Sequence, residues 1–328
     1  MSTLVAELTA DSALEAAYEW LCKARIDYPD SSDVWNLRRH WGEEKEALKA
    51  RLRSGAYRFE VQRRITLANG ETIDLWAARD ALVLKALTAV LALRLPVSAR
   101  CTHVKGHGGL KGAVRQVWGA LKTHRFVLRT DVKSYYDSID HELLLDEVSP
   151  FVDDPVVLDL VRQYLRRVAE RGGLFWEVKR GISLGCPLSP LIGAFFLTTL
   201  DERLACMEVF YVRYMDDILV LAKSRWKLRA AVKAVNEELS RLKLTKHPDK
   251  TFIGRIEKGF DFLGYRFHPA GLAVATNTLT HFLARATLLY EQSRNAPQGA
   301  KRLGEYVRRW AGWVGGGLRP TTLEGHND

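Results

Sequence analysis

The sequence predicts an α+β fold in which helical segments surround short antiparallel strands. Residues 12–54 and 276–314 carry apolar side chains at helical spacing. Between them, residues 209–213 and 218–222 are short apolar runs on either side of a turn, which is the pattern of a β-hairpin. A length of 328 residues fits either one large enzyme of several subdomains or two domains.

The N-terminal third predicts helices, then a hairpin, then another helix. Residues 12–54 form two or three helices that break near residues 28–32, where Pro, Asp and Ser cluster. Residues 57–67 and 72–75 form a hairpin, because Asn69-Gly70 supplies the positive φ angles of a tight turn. Residues 77–95 return to a helical pattern.

The rest of the chain alternates between helices and strands. A basic, glycine-rich loop at residues 103–111 leads into a helix. The predicted strands are residues 125–132, 209–213 and 218–222, with a second hairpin at 252–256 and 260–267. The predicted helices are residues 139–145, 156–168, 191–204, 225–243 and 276–314.

Composition favours a soluble protein with a polyanionic partner. Lys and Arg outnumber Asp and Glu by 49 to 39, and the net charge of +10 favours nucleic acid through counterion release. The four cysteines form no Cys-x-x-Cys pair, so neither a disulfide scaffold nor structural zinc is indicated. No signal peptide and no apolar run of about 20 residues is present. We therefore expect a cytoplasmic protein without membrane contact.

Three acids stand at the ends of apolar strands. Asp216 and Asp217 lie at the tip of the hairpin formed by residues 209–213 and 218–222, and Asp131 ends the strand at residues 125–132. A solvated turn is one explanation, since Asp is common in turns. The alternative is a metal site, because acids on adjacent strand ends can hold two Mg²⁺ ions, which prefer oxygen ligands.

The chain resembles the reverse transcriptase family in several ordered blocks. These are residues 131–139 (Asp-Val-Lys-Ser-Tyr-Tyr-Asp-Ser-Ile), 180–191 (Arg-Gly-Ile-Ser-Leu-Gly-Cys-Pro-Leu-Ser-Pro-Leu), 214–217 (Tyr-Met-Asp-Asp), 245–251 (Thr-Lys-His-Pro-Asp-Lys-Thr) and 260–265 (Phe-Asp-Phe-Leu-Gly-Tyr). Residues 41–67 and 306–313 resemble the N-terminal part and the thumb helix of bacterial members of the group II intron, diversity-generating and defence-associated types. Because the resemblance covers the chain, no endonuclease or RNase H segment is expected.

The resemblance assigns the catalytic centre. It implies that Asp131 and Asp216 bind the metals directly, that Asp217 adds charge, and that Val132 offers a backbone carbonyl. The cofactor it implies is a pair of Mg²⁺ ions. Lys250 matches a mobile lysine that could protonate pyrophosphate as a general acid, although a solvated surface lysine is the alternative.

The resemblance also implies a nucleotide site. Tyr136 matches the aromatic gate that excludes a ribose 2′-hydroxyl, with a core tyrosine as the alternative. Gly185 and Pro187 match the block that passes close to template and nucleotide, where many relatives carry glutamine in place of Leu184. In the fingers, relatives grip the triphosphate with a basic residue after the hairpin turn. Residues 71–76 contain none, so the substitutes are three arginines, Arg63, Arg64 and Arg79.

Two further groups are implied to contact the primer–template duplex. Residues 262–265, namely Phe262, Leu263, Gly264 and Tyr265, resemble the primer grip, with plain hairpin core as the alternative. Basic residues are expected to follow the phosphates without reading the sequence. They are Lys105 and Lys111 in the glycine-rich loop and Arg308 and Arg309 in the thumb.

The resemblance implies a right-hand polymerase fold. Its parts would be N-terminal helices and fingers at residues 1–100, a palm at 101–269 with a fingers insertion near 140–180, and a helical thumb at 270–328. The implied partners are an RNA template, dNTPs and a DNA product, and a homo-oligomer or accessory protein stays open. The function implied is RNA-directed DNA synthesis on a dedicated non-coding RNA in a phage-defence or mobile-element context. The alternatives are a catalytically silent module that binds structured RNA, and a template-independent or protein-primed DNA polymerase.

Overall fold

Helices and antiparallel strands alternate along the chain. The computed structural model describes residues 3–67, 70, 72–293 and 297–318. The α-helices within these ranges are α1 (Thr3–Leu8), α2 (Asp11–Ala24), α3 (Asp33–Arg39), α4 (Trp41–Arg53), α5 (Ala78–Leu91), α6 (Gly109–Ala120), α7 (Tyr135–Ser138), α8 (His141–Val148), α9 (Pro155–Leu165), α10 (Ser189–Phe196), α11 (Thr198–Ala205), α12 (Arg225–Arg241), α13 (Thr276–Ser293) and α14 (Pro297–Leu318). The strands are β1 (Gln62–Thr66), β2 (Thr72–Leu75), β3 (Phe126–Thr130), β4 (Val168–Arg171), β5 (Leu174–Glu177), β6 (Phe210–Tyr214), β7 (Asp217–Ala222), β8 (Phe252–Arg255), β9 (Phe260–Phe262), β10 (Tyr265–His268) and β11 (Gly271–Val274).

The chain divides into two compact units. The first contains residues 1–98, 132–201 and 237–245, and the second contains residues 99–131, 202–236 and 246–328. One break falls at the peptide bond between Asp131 and Val132. No described helix combines the length and the apolar character that crossing a lipid bilayer requires.

The first unit packs helices around α5 and carries a four-stranded sheet in the order β2-β1-β4-β5. Helix α5 is apolar on nearly all sides, and ten of its fourteen residues are buried. Helix α9 begins where its sequence predicts, since Pro155 occupies the first turn and the Asp154 carboxylate accepts from the Val156 N–H at 2.9 Å. The other Asp154 oxygen accepts from the Val5 N–H at 2.9 Å, which ties α1 to α9.

The second unit contains two antiparallel sheets and the C-terminal helices. The larger sheet has the order β6-β7-β3-β8, and the smaller has the order β11-β10-β9. One face of both sheets buries an apolar cluster against α6, which includes Val114, Val212, Leu219, Phe262 and Phe267. The two long C-terminal helices, α13 and α14, pack against each other.

Several predicted boundaries were wrong. The first hairpin forms as β1 and β2, with Asn69 of its predicted turn outside the described residues, but residues 57–61 are not a strand. These residues form hydrogen bonds to the Asp80 carboxylate in α5 instead. Tyr57 Oη donates to Asp80 at 2.6 Å, and the Glu60 N–H donates to Asp80 at 2.8 Å. The predicted helix at residues 191–204 is two helices, α10 and α11.

Strand pairing was also mispredicted at two places. The helix predicted to reach residue 168 ends at Leu165, and β4 and β5 form an unpredicted hairpin around Gly172 and Gly173, both at positive φ. The predicted second hairpin is wrong, because β8 pairs with β3 while β9 pairs with β10. The turn of the β9–β10 hairpin is Leu263-Gly264, with φ angles of 48° and 82°.

Candidate active site

The larger sheet of the second unit gathers the three predicted acids at one end. Strand β3 runs antiparallel to β7, with Thr130 opposite Ile218, so Asp131 follows β3 beside the start of β7. Asp217 is the first residue of β7, and Asp216 lies in the turn that joins β6 to β7. Antiparallel pairing therefore places residues that are about 85 positions apart at the same end of the sheet.

The turn that carries Asp216 is held by two side chains. Met215 has a φ of 55°, which is unusual for a residue with a side chain. Its N–H donates to His103 Nδ1 at 3.1 Å, and its carbonyl accepts from the Arg213 guanidinium at 2.7 Å. Arg213 is fully buried, and its own carbonyl accepts from the Thr102 N–H at 2.8 Å. His103 of the glycine-rich loop, together with the preceding Thr102, thus holds the turn between β6 and β7 in place.

Asp131 is fixed from the opposite side by the segment that contains Lys250. The Asp131 carbonyl accepts from the His247 N–H at 2.7 Å, and the Thr130 and Thr251 hydroxyls lie 2.8 Å apart. The Lys250 ammonium donates to the Asp131 carboxylate at 2.9 Å. The block at residues 245–251 therefore brings a cation directly to one of the acids.

Two of the three acids, Asp216 and Asp217, have raised pKa values. Burial, reinforced by the Asp131 carboxyl within hydrogen-bonding range, raises the pKa of Asp216 to about 7. Burial and Asp131 also raise the pKa of Asp217 to about 6, against the opposing effect of Arg129 and Lys250. The hydrogen bond to Asp131 raises the pKa of Lys250. The chain thus concentrates negative charge that a cation would stabilise.

Arg129 is a site residue that sequence reasoning missed. It lies two positions before Asp131 on β3, and its guanidinium is 4.0 Å from the Asp217 carboxylate. Alternate residues of a strand share a face, so a charged residue two positions before a candidate metal ligand was the available signal. Arg213 was missed as well, and its signal was an arginine inside an otherwise apolar strand.

The carboxylate groups at this end of the sheet suit a hard divalent cation. Within the described part of the chain, no three His, Cys, Asp or Glu side chains stand in a set spaced to hold a metal. The Asp131 carboxyl group nevertheless lies within hydrogen-bonding range of the Asp216 carboxyl group, and the charge of Asp131 also acts on Asp217. Carboxylate oxygens that repel one another in a partly buried site are ligands for Mg²⁺ or Mn²⁺.

Comparison with known proteins decides the family. Residues 81–267 match the family model described as reverse transcriptase (RNA-dependent DNA polymerase), which is more than half of the chain. The chain belongs to the reverse transcriptase family. The enzyme is accordingly an RNA-directed DNA polymerase, a nucleotidyltransferase with an α+β fold of the right-hand polymerase class, and its family generally uses divalent metal ions.

Individual relatives are more distant. Protein YkfC of Escherichia coli (strain K12) is 26% identical over 275 residues, which are 68% of this chain and 71% of that protein. Among solved structures, a partial Cas6-RT-Cas1–Cas2 complex matches 74% of this chain and 42% of that chain at 18% identity and a TM-score of 0.41. A second Cas6-RT-Cas1–Cas2 complex matches with the same identity and TM-score. That match covers 74% of this chain and 26% of the chain in the complex.

The predicted gate of this reverse transcriptase lies in the first unit. Tyr136 is half-buried, and its ring packs so closely on Gly193 that a Cβ at position 193 would meet Tyr136 Cε1 at 3.0 Å. The neighbouring Tyr135 is buried and donates to the Gly193 carbonyl at 2.6 Å. The Tyr136 carbonyl accepts from the Ile182 N–H at 2.8 Å. The two blocks around residues 136 and 182 thus form one packed assembly.

Gly181 shows why the block at residues 180–191 begins with glycine. It has a φ of 86°, and a Cβ there would come within 2.8 Å of the Asp137 Cα. Gly185 also has a positive φ, of 90°, but it is exposed, and a Cβ there would meet only Ile73, at an ordinary contact distance of 4.0 Å. Pro187 is partly buried, Leu184 is 42% exposed, and Val132 is buried.

The three arginines predicted to grip the triphosphate differ in their partners. Arg64 pairs with the buried Asp74 at 2.7 Å, and Arg79 forms a bidentate pair with Glu44 at 2.7 and 3.0 Å. Arg63 is exposed on β1. Their role in nucleotide binding stays a prediction, and the structure leaves Arg63 with the most accessible guanidinium of the three.

The residues of the predicted primer grip form the tip of the β9–β10 hairpin. Phe262 and Tyr265 are buried in the apolar cluster, and Leu263 and Gly264 make the turn. A Cβ on Gly264 would meet the Trp313 ring at 2.8 Å, so α14 packs directly on this turn. The Tyr265 hydroxyl donates to the Trp313 carbonyl at 2.8 Å.

The four basic residues predicted to contact phosphates occupy two kinds of environment. Lys105, Arg308 and Arg309 are exposed. Lys111 instead places its ammonium 4.0 Å from the Trp313 ring centre, where it donates to the Trp313 carbonyl and the Tyr265 hydroxyl. Burial lowers the pKa of Lys111 to about 8. In this structure Lys111 ties α6 to α14, and a phosphate contact stays a prediction.

Proposed function

We propose that this reverse transcriptase extends a primer 3′-hydroxyl with dNTPs on an RNA template. The observation that carries the proposal is that Asp131, Asp216 and Asp217 lie together at one end of the larger sheet. Burial there raises the pKa values of Asp216 and Asp217. Keeping buried acids ionised costs folding free energy, and a bound divalent cation would offset that cost.

Two Mg²⁺ ions are the cofactor that this donor set fits, with Asp131 and Asp216 as ligands, Asp217 as a further charge and the Val132 carbonyl as an additional oxygen. When bound, they would activate the primer hydroxyl and neutralise the triphosphate and the leaving pyrophosphate. Lys250, 2.9 Å from Asp131, holds an ammonium beside the reacting groups and would give its proton to pyrophosphate.

The remaining candidate residues would bind the nucleotide and the duplex. We assign the sugar gate to Tyr136 and the close approach of the backbone to Gly185 and Pro187. We assign triphosphate contact to Arg63, with Arg64 and Arg79 as further candidates. The turn of Leu263 and Gly264, between Phe262 and Tyr265, would press on the primer. Lys105, Arg308 and Arg309 would bind phosphates. In this scheme residues 1–100 belong to the N-terminal helices and fingers, 101–269 to the palm and 270–328 to the thumb.

The template proposed is a dedicated non-coding RNA, in a phage-defence or mobile-element setting. Family membership and the net charge of +10 support an RNA partner. Neither supplies template choice, so the proposal includes an RNA, a second copy of the chain or an accessory protein that provides it.

The test is to sequence nucleic acid that co-purifies with the wild-type protein and with Asp216→Asn, with Asp146→Asn as a control at an exposed carboxylate. Templated synthesis predicts one RNA in all three samples and complementary DNA in the wild type and the control alone. RNA without DNA in every sample would favour the silent RNA-binding module. DNA without complementarity to any bound RNA would favour a template-independent or protein-primed polymerase.

A further inference from the structure

The larger sheet of the second unit has an end that lies away from the three acids. At the end opposite the acids, Phe126 pairs with Ala222 on one side and with Arg255 on the other. Asp131 lies five positions after Phe126, which corresponds to about 16 Å of extended strand. A ligand bound at this end therefore does not occupy the space next to the aspartates.

A groove at this end has an apolar floor and a basic rim. It encloses about 520 Å³ between β8 and α12, and its floor includes Leu228, Val232 and the half-exposed Ile253. Its rim carries four cations and no acid among the lining residues: Arg225, Arg229, Arg255 and Lys258. Arg255 forms an ion pair with the exposed Glu257 at 3.7 Å.

An aromatic side chain projects beside this rim. Trp226 is 76% exposed, although tryptophan is the side chain that loses most by remaining in water. The Arg229 guanidinium lies 5.2 Å from its ring centre, in cation–π range. An exposed aromatic ring among arginines is the arrangement on which proteins stack an unpaired base while they hold the adjoining phosphates.

The positive charge continues around the start of α12. A second cavity, of about 510 Å³, is lined by Arg100, Lys223 and Lys227 together with His124, and its one acid is Glu208. Glu208 pairs with Lys227. The basic lining of this cavity thus includes Lys223 and Lys227, which flank Trp226 in the sequence.

We infer that this end of the sheet binds a segment of RNA with an unpaired base, separately from the primer–template at the acids. The distal basic surface is defined as Arg225, Trp226, Arg229, Arg255 and Lys258. Charge complementarity selects a polyanion, and the exposed indole selects one that offers a base to stack. The choice of RNA rests on the proposed function, because the enzyme must retain the RNA that it copies.

The test uses the full chain with Asp216→Asn in the background, so that no synthesis occurs and binding alone is measured. The probe is a fluorescent RNA hairpin with an unpaired loop, titrated at several salt concentrations. The triple variant Arg225→Gln/Arg229→Gln/Lys258→Gln removes three cations of the surface. The matched control, Lys23→Gln/Arg39→Gln/Arg162→Gln, removes three exposed cations of the first unit and leaves the same net charge.

We expect the surface triple to weaken RNA binding at least tenfold and to reduce the slope of log affinity against log salt by about 2, and the control triple to change neither. Trp226→Ala should weaken binding of the looped hairpin roughly tenfold and leave a fully paired RNA unaffected. Equal losses in both triples, or unchanged affinity in the surface triple, would overturn the inference. Binding of polyglutamate in place of RNA would also overturn it and would identify an acidic protein as the partner.

Primer extension on a short pre-annealed RNA–DNA oligonucleotide, with Asp216 restored, separates this inference from the proposed function. The surface triple should extend the short duplex at the wild-type rate, because that duplex does not reach the distal basic surface. A wild-type protein that binds the hairpin but does not extend the primer would contradict the proposed function and leave the surface intact. A surface triple that folds normally but fails to extend the short duplex would contradict the separation of the two sites.

Discussion

The Lys250 ammonium lies 2.9 Å from the Asp131 carboxylate, so the chain places its own cation among three acids. The ion pair explains how these acids can stand together in the fold. In the proposed mechanism it also supplies a proton donor beside the metal site, since an ammonium can release a proton that a guanidinium retains.

The first prediction separates these two roles of Lys250. Lys250→Ala should lower the single-turnover rate of nucleotide addition about 100-fold, the usual scale for loss of a general acid. Lys250→Arg preserves the positive charge beside Asp131 but holds its proton, so its rate should stay low while its melting temperature matches the wild type. A full rate in Lys250→Arg would reduce the role of Lys250 to charge alone.

The second prediction concerns the cost of the acids. Asp216→Asn should abolish primer extension and yet raise the melting temperature in Mg²⁺-free buffer at pH 8, by about 2–4 °C for each kcal/mol gained. The reason is that burial and Asp131 raise the pKa of Asp216 to about 7. At pH 8 the fold therefore holds the ionised carboxylate at a cost in folding free energy, and the neutral amide removes that cost. Asp146→Asn at an exposed position should change neither quantity, and a lower melting temperature for Asp216→Asn would count against this account.

The third prediction tests the gate. Tyr136→Ala should increase the use of ribonucleotides relative to deoxyribonucleotides on the order of 10- to 100-fold, the scale of discrimination by shape in a pocket. Gly193→Ala leaves the tyrosine in place but sets a methyl group 3.0 Å from its ring, so a smaller shift in the same direction is expected. Competition between labelled nucleotides measures both, and unchanged selectivity in Tyr136→Ala would make Tyr136 a core residue only.

The fourth prediction is a pH dependence of folding stability. Burial raises the pKa of Asp80 to about 6, despite hydrogen bonds from Tyr57 and Glu60, whereas the unfolded value is 3.8. At Asp80 the native state therefore binds more protons between pH 4 and 6, so the contribution of Asp80 to folding stability rises as pH falls through this window.

Urea unfolding of the wild type and Asp80→Asn measures this effect. The difference between their unfolding free energies should change by on the order of 2–3 kcal/mol from pH 7 to pH 4, because each pKa unit corresponds to about 1.4 kcal/mol. A difference that is constant with pH would show that Asp80 titrates normally in the fold.

The fifth prediction concerns the hairpin turn under α14. Gly264→Ala should destabilise the second unit by about 1–3 kcal/mol, since φ is 82° and the new methyl group would meet Trp313 at 2.8 Å. Gly271→Ala in the same small sheet has open space and serves as the control. Hydrogen exchange should show α14 opening more readily in Gly264→Ala alone, and equal protection in both variants would refute the packing argument.

Local chemistry was sufficient to predict much of the structure. Hydrophobic spacing predicted most helices, and the acids of Tyr-Met-Asp-Asp could be placed at a hairpin tip because apolar strands flank them on both sides. The order of blocks that resemble reverse transcriptases predicted the family, which residues 81–267 confirm. These features depend on neighbours within a few residues, and sequence patterns report such neighbours directly.

Long-range pairing was decided only by the tertiary structure. The sequence does not show that β8 joins β3 and not β9, that His103 accepts from the Met215 N–H, or that Lys111 lies against Trp313, about 200 positions away. Strands of similar composition can pair in several ways, and the choice depends on which faces can be buried together. The sequence by itself determined which residues could carry the chemistry, whereas the burial that shifts their pKa values arises only when distant segments pack.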